Sequence, residues 1–198
     1  MIIAKLVRWG GVATLIAGLL LIAAEILFIV VPETGESTML LPGRIFAALC
    51  MAGAVPLTLG LTGVYLYQAE QAGRFGLVAF LVALAGSALM IASDWNELFA
   101  GPTLVQIPGF EESFPATLVA GFILNVGLYV LGWLLFGIAS FRARVFPRSL
   151  AVLLAAGAPA LLIGMPGSIL PLYIAFAWMG LVVVRDRAAT PGLVSANA

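Results

Sequence analysis

Polar and apolar residues do not alternate along this chain. The apolar ones gather in six blocks, at roughly 9–31, 45–67, 75–93, 117–141, 149–165 and 168–184, and the only charged side chain inside any of them is Glu25. A helix rises ~1.5 Å per residue, so ~20 apolar residues cross the ~30 Å hydrocarbon core of a bilayer. The first four blocks reach that length or nearly reach it. The last two have about 17 residues each, which gives ~25 Å, and only Pro166 and Gly167 clearly part them. Those two predict either a tight helical hairpin that thins the bilayer locally or a deep re-entrant loop. The expected fold is all-α: a polytopic membrane protein, one domain over 1–198, built as a bundle of six transmembrane helices with a short tail at 185–198.

Charge placement adds an orientation. Lys5, Arg8, Arg74, Arg142, Arg144, Arg148, Arg185 and Arg187 all fall on one side if the chain crosses six times, whereas Glu33, Glu36, Asp94, Glu97, Glu111 and Glu112 fall on the other with Arg44. The positive-inside rule then places both termini in the cytoplasm, as expected for a multi-pass protein of a bacterial cytoplasmic membrane. The first block is too long for a secretory h-region and no A-x-A site follows it, so it reads as a retained signal anchor.

Small residues at helical spacing mark where membrane helices approach closely. Ala79, Ala83 and Ser87, Ala13 and Ala17, Gly53 and Gly60, and Gly157 and Gly164 are the predicted seams. Pro56, Pro159 and Pro171 are each expected to kink a helix. The segment 99–115 carries Pro102, Pro108 and Pro115 together with Phe99, Phe110 and Phe114, so it is expected to break as a helix and cap the outer surface. Ser113 and Pro115 read as the start signal of the fourth span.

At 63% hydrophobic and 9% charged, no soluble fold hides this much apolar surface. The chain has no histidine, which excludes histidine-ligated haem, zinc and copper and every histidine-based catalytic triad. No Walker, G-x-G-x-x-G, H-E-x-x-H or C-x-x-C motif is present. No cofactor, resident metal or nucleic-acid partner is expected. The lone cysteine, Cys50, reads as a small buried hydrophobe.

Glu25 is the leading candidate for chemistry, because a carboxylate about 9 Å inside the outer boundary is costly unless paired, protonated or wetted. Asn125 lies at similar depth, with Tyr129 on its helix face, and Arg44 can snorkel inward from the outer edge. Asp94, Asn96 and Glu97 complete a polar collection confined to the outer half. Two readings follow: an outward-facing ligand or ion pocket, or a Glu25–Arg44 or Glu25–Asn125 contact that fixes packing. Asp94 and Glu97, with Glu111 and Glu112, could hold a divalent cation only weakly. Arg142, Arg144 and Arg148 are expected at lipid headgroups, and Trp9, Tyr65, Tyr67 and Trp95 in the interfacial belts. Functionally, the scarcity of intramembrane ionisable groups favours a non-enzymatic accessory subunit or a binder of lipid or an apolar small molecule. The expected partners are membrane lipids and a protein partner or second copy. The alternative is a small proton- or cation-coupled transporter or channel using Glu25.

Overall fold

The computed structural model describes residues 2–31, 41–104, 106–107 and 115–186. Every regular element among them is helical: α1 (Ile2–Val30), α2 (Leu41–Trp95), a π-helical turn (Asn96–Ala100), the short α3 (Gly101–Leu104), α4 (Ala116–Ala143), α5 (Arg148–Ala160) with a 3-10 turn (Leu161–Ile163), and α6 (Leu170–Arg185). Three helical stretches, Ile2–Val30, Leu41–Leu104 and Ala116–Ala143, are long and apolar enough to cross a membrane, which supports a membrane-embedded protein.

With 55 residues, α2 is not one rod. Its dihedrals leave the helical region at Gly73 (φ 57°, ψ −152°), so it comprises two arms, 41–72 and 74–95. The arms fold back on one another, with Tyr65 stacked on Phe80 at 4.4 Å between ring centroids. The helix keeps its dihedrals through Pro56, and Pro171 lies in the first turn of α6, where its missing N–H is no loss. Pro56 therefore leaves the helical dihedrals of the first arm intact, and Pro171, expected to kink a helix, instead stands where a helix begins. Pro159 lies near the C-terminal end of α5, just before the 3-10 turn.

Packing is governed by small residues. A Cβ on Gly10 of α1 would lie 2.6 Å from the Gly63 Cα of the first α2 arm, and one on Gly53 would lie 2.7 Å from Leu21 Cγ. Gly18 and Gly180 join α1 to α6 in the same way, Gly86 and Gly132 join the second α2 arm to α4, Gly137 joins α4 to α5, and Gly157 joins α5 to α6. With the arm-to-arm contact these seams close a ring of six helical segments, each antiparallel to its neighbours. The predicted seam along Ala79, Ala83 and Ser87 is buried, and Gly53, Gly60 and Gly157 lie on seams too. Ala13 is only half-buried; the α1 face toward α2 runs through Gly10, Thr14, Ala17 and Leu21 instead. Gly164 is a turn residue (φ 68°) that caps the 3-10 segment, not part of a seam.

Trp133 sits at the centre with no exposed surface, its ring 4.3 Å from that of Phe176 on α6. Phe136, Leu57, Leu61, Leu150, Leu154 and Met179 complete the core, yet many large apolar side chains also point outward, among them Leu59 (69% exposed), Ile123 (64%) and Val78 (55%). An outer surface this apolar suits a lipid surround.

The start of the predicted outer loop is helical: 96–104 extends the second α2 arm through the π turn and α3. Helix α4 opens directly after Pro115, which lacks helical dihedrals and acts as N-cap. Ser113, Phe110, Phe114, Glu33, Glu36, Glu111, Glu112 and Arg187 lie outside the described residues.

Candidate functional site

Within this closed ring one cavity of about 200 Å³ opens in the half of the bundle that holds Leu21, Asp94 and Tyr129. Three helices furnish its walls at helical spacing. The first α2 arm supplies Phe46, Cys50, Ala54 and Leu57; the second supplies Ser87, Met90, Ser93 and Asp94, continued by Glu97 in the π turn; α4 supplies Phe122, Val126 and Tyr129. Intervals of three and four residues keep each set on one helix face. Leu161, Ile169 and Tyr173 close the wall from the α5–α6 hairpin, and Leu21 from α1.

The wall is mostly carbon, with a few polar groups set into it. Asp94 is 8% exposed and has neither a hydrogen bond nor an ion pair among the described residues. Glu97 is exposed, at the rim. Ser87 is 1% exposed, and its Oγ lacks a hydrogen-bond partner. Asn125 packs just behind Met90, with its Nδ2 at 3.9 Å from the thioether sulfur; its buried Oδ1 has no partner. No lysine or arginine among the described residues lines the cavity.

Glu25 does not line it. The side chain is buried, and Oε1 accepts the backbone N–H of Gly167 at 2.6 Å. Gly167 (φ 86°) belongs to the turn between the 3-10 segment and α6, whose small conformational cost glycine meets. Glu25 lies one turn beyond Leu21, and Gly167 two residues before Ile169, both of which line the cavity. The contact therefore ties α1 to the turn that forms one cavity wall. Neither Arg44 nor Asn125 bonds to Glu25; Arg44 is exposed on the first turn of α2.

Of the residues singled out from sequence, the cavity gathers Asp94, Glu97 and Tyr129, with Asn125 against its wall, and leaves Glu25, Arg44 and exposed Asn96 outside. Sequence reasoning missed Tyr173, Phe46, Met90 and Phe122, and took Cys50 for a simple core residue. The available signal was the recurrence of 46/50/54/57, 87/90/94 and 122/126/129 at three- and four-residue steps, which is indistinguishable from ordinary packing until the helices are arranged.

The opposite end of the bundle is more polar at its edge. Tyr67 donates its hydroxyl to Asp186 Oδ2 at 2.5 Å, and its ring lies 5.4 Å from that of Phe146. Arg142, Arg144 and Arg148 are exposed around the α4–α5 turn, with the Arg142 guanidinium 5.2 Å from the Phe75 ring centroid. Thr14 and Thr58 return their hydroxyls to the carbonyls of Gly10 and Ala54 in their own helices. Nearby, Gln68 is fully buried with neither amide atom partnered among the described residues, and the Ser140 hydroxyl oxygen is likewise buried without a partner, so this half keeps unspent polarity.

A scan against family models, a search of curated proteins and a search of solved structures each returned no match to this chain.

Proposed function

We propose that this chain is a six-crossing integral membrane protein, with both termini cytoplasmic, that binds a small, largely apolar molecule in the cavity between α2 and α4. The observation that carries the binding reading is the cavity itself. Glycine and alanine seams draw neighbouring helices together, and between them about 200 Å³ is left open against a carbon-rich wall. Apolar cavities of ~150 Å³ take benzene-sized molecules, and drug-sized ligands occupy ~300–1,000 Å³. The volume therefore suits a ligand of one ring or a short branched chain.

Six crossings are supported by the alternation of the ring: α1, the two arms of α2, α4, α5 and α6 run successively antiparallel, and exposed Arg142, Arg144 and Arg148 share the end with Arg74 and Arg185, where anionic headgroups would meet them. The transporter alternative is weakened by Glu25, whose contact to Gly167 supports a structural part for that carboxylate.

Cys50 reports on the cavity, because it lines the wall and is the single cysteine in the chain. In detergent-purified protein, benzyl alcohol should slow alkylation of Cys50 by N-ethylmaleimide in a saturable manner. If benzyl alcohol leaves the alkylation rate unchanged at every concentration that keeps the protein folded, the binding reading fails.

A further inference from the structure

We propose that the ligand of this cavity is a small organic cation: a primary or substituted ammonium group on an apolar ring or short hydrocarbon body. The inference rests on the cavity being a binding site and names the class of molecule it takes.

Three observations converge. Asp94 is buried to better than nine-tenths on the cavity wall, with no cation, hydrogen-bond donor or ion-pair partner among the described residues. A second carboxylate, Glu97, stands at the rim one helical turn away, and no basic residue among the described ones lines the space. Ser87, on the same helix face as Asp94, keeps its hydroxyl oxygen buried on this wall without a partner. A carboxylate left alone in an apolar setting is strongly disfavoured, and a desolvated charge becomes tolerable when a counter-charge with hydrogen-bonding protons arrives. An ammonium group brings both: it carries the opposite charge, and its N–H groups can donate to the Asp94 carboxylate.

The remaining wall selects against other occupants. The rings of Tyr129, Tyr173 and Phe122 offer π surface to a cation and apolar contact to its carbon body. Among the described residues no group of three or more His, Cys, Asp or Glu stands where it could hold a hard divalent ion. An anion would meet two carboxylates. A wholly neutral hydrocarbon would fill the volume and leave Asp94 as unpartnered as it is alone.

Benzylamine and benzyl alcohol test this, because they share size and ring and differ only in the head group, which for benzylamine is an ammonium at neutral pH. Each is titrated against full-length protein in detergent, with the alkylation rate of Cys50 as readout, for wild type, Asp94→Asn and Glu97→Gln. The expected result is that benzylamine protects wild type at roughly tenfold lower concentration than benzyl alcohol, a factor typical of one charge-assisted hydrogen bond. Asp94→Asn removes that advantage while benzyl alcohol protects as before; Glu97→Gln, at the rim, reduces it less. Equal protection of wild type by both compounds overturns the inference while leaving the apolar binding site standing, and so does an advantage for benzylamine that survives Asp94→Asn. If Asp94→Asn does not fold, the wild-type ratio of the two compounds decides alone. Protection by neither compound overturns the binding site itself, and the cation with it.

Discussion

The Glu25 carboxylate of α1 accepts the backbone N–H of Gly167 at 2.6 Å, across 142 residues of chain. This contact joins the first helix to the turn that precedes α6 and holds in place the segment from which Ile169 and Tyr173 reach the cavity. A carboxylate that caps a turn need not move protons, and the arrangement accounts for a charged residue in an otherwise apolar span without invoking transport.

Substitution at this position separates the roles. Glu25→Gln retains an acceptor oxygen of the same reach and should leave thermal stability in detergent nearly unchanged. Glu25→Leu strands the Gly167 N–H in an apolar setting and should cost about 1–2 kcal/mol, the scale of polar contacts between membrane helices. Equal tolerance of Gln and Leu in unfolding measurements would show that the contact contributes nothing.

The Gly10–Gly63 approach is the tightest test of the packing between α1 and α2. A Cβ on Gly10 would stand 2.6 Å from the Gly63 Cα and 2.9 Å from the Gly60 carbonyl oxygen, both backbone atoms that cannot swing aside. Gly10→Ala must therefore part the helices, at about 1–3 kcal/mol. Gly121→Ala, where nothing lies within 4 Å, is the control and should be neutral or slightly stabilising. A melting comparison of the two variants that shows no difference would contradict this seam.

Gly73 turns the chain between the two arms of α2 with φ 57° and ψ −152°, a region that side-chain-bearing residues avoid. A Cβ there meets nothing within 4 Å, so the penalty of Gly73→Ala is purely conformational. About 1–2 kcal/mol of destabilisation is expected, with the cavity intact as read by Cys50 protection. Wild-type stability in this variant would mean that the turn takes another conformation.

Topology can be tested without disturbing the fold. In a Cys50→Ser background, single cysteines at Gln71 and Arg144 should be modified from one side of the membrane, and a cysteine at Pro108 from the other. Finding Gln71 and Pro108 on the same side would end the six-crossing arrangement.

Helical class was legible in the sequence because lipid leaves the backbone no alternative: an apolar block must satisfy every peptide group internally, so block length alone predicts a helix. The small-residue seams along Ala79–Ser87 and through Gly53, Gly60 and Gly157 were legible for a related reason, since close approach needs small side chains whatever the neighbour. Pro171 was misread as a kink because its effect depends on whether it stands in the first turn, which the 3-10 turn and Gly164 decide. The candidate site was legible only in part. Asp94 stood out as a polar group at the end of one apolar block and Tyr129 as one inside another, but spacing along one helix cannot say which face of another it will meet. Only the closed ring brought Cys50, Ser87 and Tyr173 to the same cavity and sent Arg44 to the surface. It also gave Glu25 a backbone partner in place of the side chains expected from sequence, because a turn 142 residues away enters reach only when α1 and α6 pack together.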